Sequence, residues 1–196
     1  MGKRIVSLLP SSTEIICMLG YSENLVGISH ECDYPNSISG LPVLTKARLS
    51  SEGNSNEINQ SVSDLLQRGL SVYDVDASLL KSLSPDIIVT QAQCEACAVS
   101  LDQVKGIVSN WTQNKTEIIS LEPNTLNEVW LGFDVIANAM DAPESSAIFR
   151  TKINERFKLL RDKLDGTEQK PNILCIEWIE PIMVAANWVP ELVDLA

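Results

Sequence analysis

The sequence predicts an α/β fold in which a parallel sheet flanked by helices is followed by one long helix and the start of a second α/β unit. Three observations carry this. Short apolar runs rich in β-branched residues, at positions 5–9, 25–28, 86–90 and 117–121, alternate with helical patterns. Polar clusters follow those runs where strands exit into loops. Residues 144–164 then hold a single helical repeat, with Ile148, Ile153, Phe157, Leu160 and Leu164 along one face.

In order, residues 5–9 form a first strand ended by Pro10, and Ser11 with Glu14 makes a capping-box pattern for a helix that Gly20 stops. A second strand spans 25–28 and exits on Ser29, His30, Glu31, Cys32 and Asp33. Residues 35–61, rich in Ser, Asn and Gly, read as a long loop. A strand at 70–73, a helix at 76–83 and a central strand at 86–90 restore the β-α-β rhythm. After a polar exit at 91–98 come a helix at 100–109, a strand at 117–121 and a helix at 126–140. Beyond the long helix, 172–177 reads as a strand, 178–188 as a loop with two tryptophans, and Pro190 as a first-turn residue of a last helix.

Composition narrows the function. The 196 residues are 44% hydrophobic, enough for a real core, and 15 Lys+Arg against 26 Asp+Glu give a net charge of −11. So acidic a surface repels phosphate backbones and anionic lipid, which argues against nucleic-acid and membrane-surface partners. No apolar stretch approaches the roughly 18 residues of a spanning helix. Lys3 and Arg4 before Ile5, Val6, Leu8 and Leu9 imitate a secretory signal, but Pro10 to Glu14 interrupt the run and no small-residue cleavage site follows. The expectation is a cytoplasmic chain as written, or a periplasmic one whose export signal is missing from this sequence. Five cysteines, an odd number, argue against a disulfide framework and for reduced thiols.

Pro10-Ser11-Ser12-Thr13-Glu14, Asp33-Tyr34-Pro35, Leu83-Ser84-Pro85-Asp86-Ile87-Ile88, the long helix and Glu177-Trp178-Ile179-Glu180-Pro181 follow one another in an order that resembles the cobalamin and iron-siderophore substrate-binding proteins of ABC importers. Ser29-His30-Glu31-Cys32-Asp33-Tyr34-Pro35, Cys94-Glu95-Ala96-Cys97-Ala98 and Asn187-Trp188-Val189-Pro190-Glu191-Leu192 are similar to a cobalamin-binding-like branch of that family. The resemblance covers nearly the whole chain. It implies a class III periplasmic binding protein: a Rossmann-like ligand-binding lobe at 1–142, a linking backbone helix at 143–166, and the beginning of a C-terminal lobe at 167–196. The family continues past Ala196, so the expectation is a second lobe truncated in this sequence.

The same resemblance implies a non-enzymatic protein that binds a corrinoid, or another metal chelate, in a cleft between lobes. The lining it implies is Pro10, Ser11, His30, Glu31, Gln91, Cys94 and Trp178, with Glu95 as a docking residue for an ABC permease. Residue chemistry agrees in part. Trp178 offers a flat apolar face, with core packing as the alternative, and the helix start at Ser11 and Ser12 presents N–H donors suited to an amide or carboxylate. His30, the only histidine, is a candidate axial ligand to cobalt; the alternative is a loop histidine hydrogen-bonded to Asp33 or Glu31. A second reading makes the chain a thiol-metal protein in which His30, Cys32, Cys94 and Cys97 hold zinc or iron, against reduced, partly buried thiols without metal. No Ser-His-Asp order, phosphate-binding glycine loop or dinucleotide fingerprint supports catalysis.

Overall fold

The first strand, β1 (Ile5–Ser7), is buried on both faces, as a central strand of a parallel sheet must be. The computed structural model describes residues 2–50, 52–92, 99–111, 116–164 and 171–196. The chain divides into two compact units, Met1–Glu122 and Pro123–Ala196.

In the first unit, β1, β2 (Leu25–Ile28), β5 (Ile87–Thr90) and β6 (Glu117–Ser120) form one parallel sheet in the order β2-β1-β5-β6. The α/β architecture expected from the alternating runs is the one observed. Every residue of β5 is buried, which is why its run Ile-Ile-Val carries no polar alternation. Val6, Leu8, Leu44, Leu80, Ile88, Val99 and Val104 close the core of this unit. Gly27 in β2 lies in close approach to two leucine side chains. A Cβ there would stand 2.6 Å from Leu44 Cδ1 and 2.9 Å from Leu83 Cδ1.

Helix α1 (Pro10–Met18) begins one residue before the expected capping box, with Leu9 as an extended cap residue and Pro10 in the first turn. No side chain caps it. Ser12 Oγ instead donates to the Leu9 carbonyl at 2.8 Å, and Glu14 makes no capping bond. Gly20, at φ +92°, takes the left-handed conformation that ends the helix.

The long loop expected at 35–61 is corrected in two places. Strand β3 (Thr45–Ala47) and helix α2 (Ser55–Gln67) occupy parts of it. The signal for α2 was local: Asn54 and Glu57 form a complete capping box, and Ile58, Val62, Leu65 and Leu66 follow at helical spacing. Strand β4 (Tyr73–Val75) starts three residues later than expected, because Leu70 still donates to Leu65 O as α2 closes. It pairs antiparallel with β3, with Thr45 opposite Val75 and Ala47 opposite Tyr73, and stays outside the main sheet. Helices α3 (Ala77–Leu83) and α4 (Leu101–Val108) are capped by Asp76 and Ser100.

The second unit contains α5 (Leu126–Ala139), α6 (Pro143–Leu164), β7 (Ile176–Trp178), β8 (Met183–Val184) and α7 (Val189–Leu195). Phe133 of α5 stacks on Phe149 of α6 with ring centroids 4.3 Å apart, and Asp134 binds both Ser146 and Arg150. Residues 123–139 thus pack with the long helix. The single strand expected at 172–177 is shorter and later, and it turns back on β8 as an antiparallel pair inside the expected loop. Among the described residues no helix is long and apolar enough to cross a membrane.

Candidate ligand site

In the sheet order β2-β1-β5-β6 the chain runs outward from β1 in one direction and from β5 in the other. The carboxyl ends of β1 and β5 therefore flank the switch point at which open α/β sheets bind ligands. Pro10 and Ser11 leave β1 there. Ser11 is exposed at the start of α1, where the first-turn N–H groups lack helical acceptors and Pro10 needs none. Gln91 leaves β5 on the other side of β1; it is buried and bridges to Ser100, while Thr90 Oγ1 donates to Val99 O at 2.6 Å.

The exit of β2 lies beside that of β1, since Ser29 N donates to Ser7 O at 2.9 Å. His30, Glu31 and Cys32 follow. Ser29 Oγ lies 2.9 Å from Thr45 Oγ1, the His30 backbone N–H donates to Thr45 Oγ1 at 3.0 Å, and His30 Nδ1 lies 2.6 Å from the same oxygen. Nε2 of His30 stands 3.2 Å from Glu31 Oε1, within ion-pair distance but without hydrogen-bond alignment. The Tyr73 ring packs against the imidazole at 5.4 Å, and burial followed by the Glu31 charge raises the Tyr73 hydroxyl above its ordinary pKa. Of the two partners considered for this histidine, Glu31 is the one in contact.

Sequence reasoning missed Thr45 and Tyr73. Thr45 fell inside the expected loop, although Val43-Leu44-Thr45 after Pro42 is a short β-favouring run. Nothing local announced that it would meet residues fifteen positions earlier.

Beneath the β1 and β2 exits, Ser7, Ser12 and Thr13 are fully buried and joined by hydrogen bonds. Thr13 Oγ1 donates to Ser7 Oγ at 2.7 Å, Ser7 and Ser12 are 2.6 Å apart, and both reach the Leu9 carbonyl. Cys32 Sγ meets Thr13 Oγ1 at 3.1 Å. Because Thr13 spends its only proton on Ser7, Cys32 must donate, so it is a thiol. Burial is the main cause that raises its pKa, and the charges of Asp33 and Glu31 add to the rise.

This bears on the thiol-metal reading, which needs Cys32 as thiolate. Among the described residues no group of three His, Cys, Asp or Glu side chains converges to hold a metal ion. Cys94, Glu95 and Cys97 lie outside the described residues. Trp178 belongs to the second unit, half-buried at the end of β7, with Nε1 donating to Glu180 O at 3.0 Å.

No protein-family model matches the chain, and no curated protein matches it. Solved structures do. The periplasmic heme-binding protein RhuT from Roseiflexus sp. RS-1, in apo form, aligns over 100% of this chain and 64% of its own, with a TM-score of 0.68 and 19% identity. The periplasmic vitamin B12-binding protein BtuF of Vibrio cholerae aligns over 99% and 64%, with a TM-score of 0.63 and 19% identity. An ABC transporter substrate-binding protein from Listeria monocytogenes EGD-e aligns over 100% and 63%, with a TM-score of 0.64 and 16% identity. The fold is that of the substrate-binding proteins of ABC importers, as the resemblance implied. The chain spans slightly less than two thirds of the length of these structures.

Proposed function

We propose that this chain is a non-enzymatic binding component of an ABC importer, and that it binds a corrinoid or a related large metal chelate at the carboxyl edge of its parallel sheet. The observation that carries the reading is the sheet order. It puts the open start of α1 at Pro10 and Ser11, the β2 exit at His30 and Glu31, and the β5 exit at Gln91 along one edge, where α/β sheets receive ligands. Structures of the same fold from Vibrio cholerae and Roseiflexus sp. RS-1 are described as vitamin B12-binding and heme-binding. These descriptions support a macrocycle as the proposed ligand class, with cobalamin as the particular proposal.

Cys94 and Trp178 complete the proposed lining, Glu95 the proposed docking contact to a permease, and 1–142, 143–166 and 167–196 the proposed lobe, linking helix and second-lobe start. The location that goes with this reading is periplasmic, which two of the similar structures carry in their descriptions. Titration with cyanocobalamin and, separately, hemin, read by absorbance and tryptophan fluorescence, tests it. Saturable cobalamin binding is expected. Hemin binding alone would move the ligand to a porphyrin, and saturation by neither would overturn the reading.

A further inference from the structure

The hydroxyls around His30 decide which ring nitrogen carries its proton, a choice that atom positions alone leave open. Thr45 Oγ1 has three neighbours, the His30 backbone N–H, Ser29 Oγ and His30 Nδ1. The backbone N–H can only donate, so Thr45 accepts there and has one further lone pair and one proton to place.

If the neutral ring is protonated at Nε2, both hydroxyls and Nδ1 are matched. Ser29 donates to Thr45, Thr45 donates to Nδ1, and Ser29 accepts from the Glu31 N–H at 3.3 Å. Nε2–H then lies 3.2 Å from the Glu31 carboxylate oxygen, a charge attraction without hydrogen-bond alignment. If the ring is protonated at Nδ1 instead, that N–H fills the second lone pair of Thr45, whose proton must turn to Ser29. The proton of the buried Ser29 hydroxyl then has no acceptor among the described residues. Nε2, which has no accessible surface, is left as a bare lone pair 3.2 Å from a carboxylate oxygen. One arrangement leaves the buried Ser29 donor unmet and two electron-rich atoms opposed; the other satisfies Ser29 and sets a donor, though out of line, beside the carboxylate.

We infer that Thr45 is a positioning residue that holds His30 in the Nε2–H form, so that this imidazole acts in the ligand site as a hydrogen-bond donor and not as a metal ligand. The inference rests on the proposed ligand site only for its relevance to binding, since the tautomer belongs to the protein alone. The group that Nε2–H would recognise is an acceptor oxygen, carboxylate or amide carbonyl, taking the place now held by Glu31. This replaces the cobalt-ligand and zinc-ligand roles considered for His30, both of which need a free ring lone pair.

Because His30 is the only histidine, a two-bond 1H–15N correlation of its ring at about pH 8, where an ordinary imidazole is neutral, reads one residue without ambiguity. The expected spectrum has a protonated-type Nε2 and an acceptor-type Nδ1, in about tenfold excess or more over the other form. Thr45→Val, which removes the hydroxyl donated to Nδ1, should reduce the excess of the Nε2–H form and Thr45→Ser should restore it, an outcome that simple destabilisation would not produce. Added Zn2+ should leave the ring nitrogens unmoved. A wild-type ring in the Nδ1–H form, or a zinc-dependent shift of Nε2, would overturn the inference even if Thr45→Val fails to fold. No ligand enters these measurements, so their failure is distinct from failure of the proposed function.

Discussion

Cys32 Sγ and Thr13 Oγ1 lie 3.1 Å apart, and the direction of that contact is set from its far end. Thr13 donates to Ser7, and the buried hydroxyls end on the Leu9 carbonyl, which can only accept. Cys32 therefore enters the chain as its first donor. Its pKa lies above the ordinary 9.0, chiefly through burial. The folded state holds the proton more tightly than the unfolded one, so its contribution to stability is full below about pH 9 and is lost as pH rises through the folded value. At pH 8, iodoacetamide should label Cys32 at least about tenfold more slowly in the native protein than in urea, read by mass spectrometry. Equal rates would mean an exposed thiolate.

Gly27 is expected to tolerate no side chain. The Cδ1 atoms of Leu44 and Leu83 would have to shift, and Leu44 is buried, so Gly27→Ala should cost about 1–3 kcal/mol by overpacking. Urea denaturation measures it, and a neutral result would show that the Leu44 and Leu83 side chains give way freely.

The carboxylate of Glu128 accepts from Asn124 N at 2.6 Å and Thr125 N at 3.0 Å. These bonds, Asn124 first, lower its pKa below the ordinary 4.5. The stability it lends to the start of α5 is complete above about pH 4.5 and disappears as pH falls through the lower folded value. Glu128→Gln should flatten that part of the melting-temperature profile between about pH 5 and 3, and identical acid profiles would refute the assignment.

Trp178→Ala should weaken cobalamin binding by roughly tenfold to a hundredfold, the cost of about 1–3 kcal/mol for a lost aromatic contact, with the first unit still folded. Unchanged affinity with a lowered melting temperature would place Trp178 among packing residues only.

The second unit exposes Ile179 and Ile182 by 73% and 70%, with Leu174 and Val184 also open to solvent. Apolar surface of this extent promotes association. Light scattering of the 196-residue chain should show mass rising with concentration, and the double substitution Ile179→Ser with Ile182→Ser should reduce it. A concentration-independent monomer would contradict this.

Much of the fold was legible because its signals are local. The all-apolar run at Ile87, Ile88 and Val89 announces a strand covered on both faces, and the repeat from Ile148 to Leu164 announces α6. Pro10 at the end of the first run and the polar cluster from Ser29 to Asp33 mark strand exits, and with them most of the candidate site. Even α2 was written in Asn54 and Glu57, although the surrounding Ser, Asn and Gly concealed it.

What the tertiary structure alone decided is which distant pieces meet. A three-residue strand such as β3 has too little pattern to name its partner, and only folding sets Thr45 opposite Val75 and within hydrogen-bond distance of His30 Nδ1. The same holds for β7 and β8, and for α5, which joins α6 through Phe133 and Phe149. Periodicity and turn residues act over a few positions and are readable from the chain. Strand partners, buried hydroxyl chains and a histidine's tautomer depend on groups that sequence separates, so their proton bookkeeping exists only once those groups are brought together.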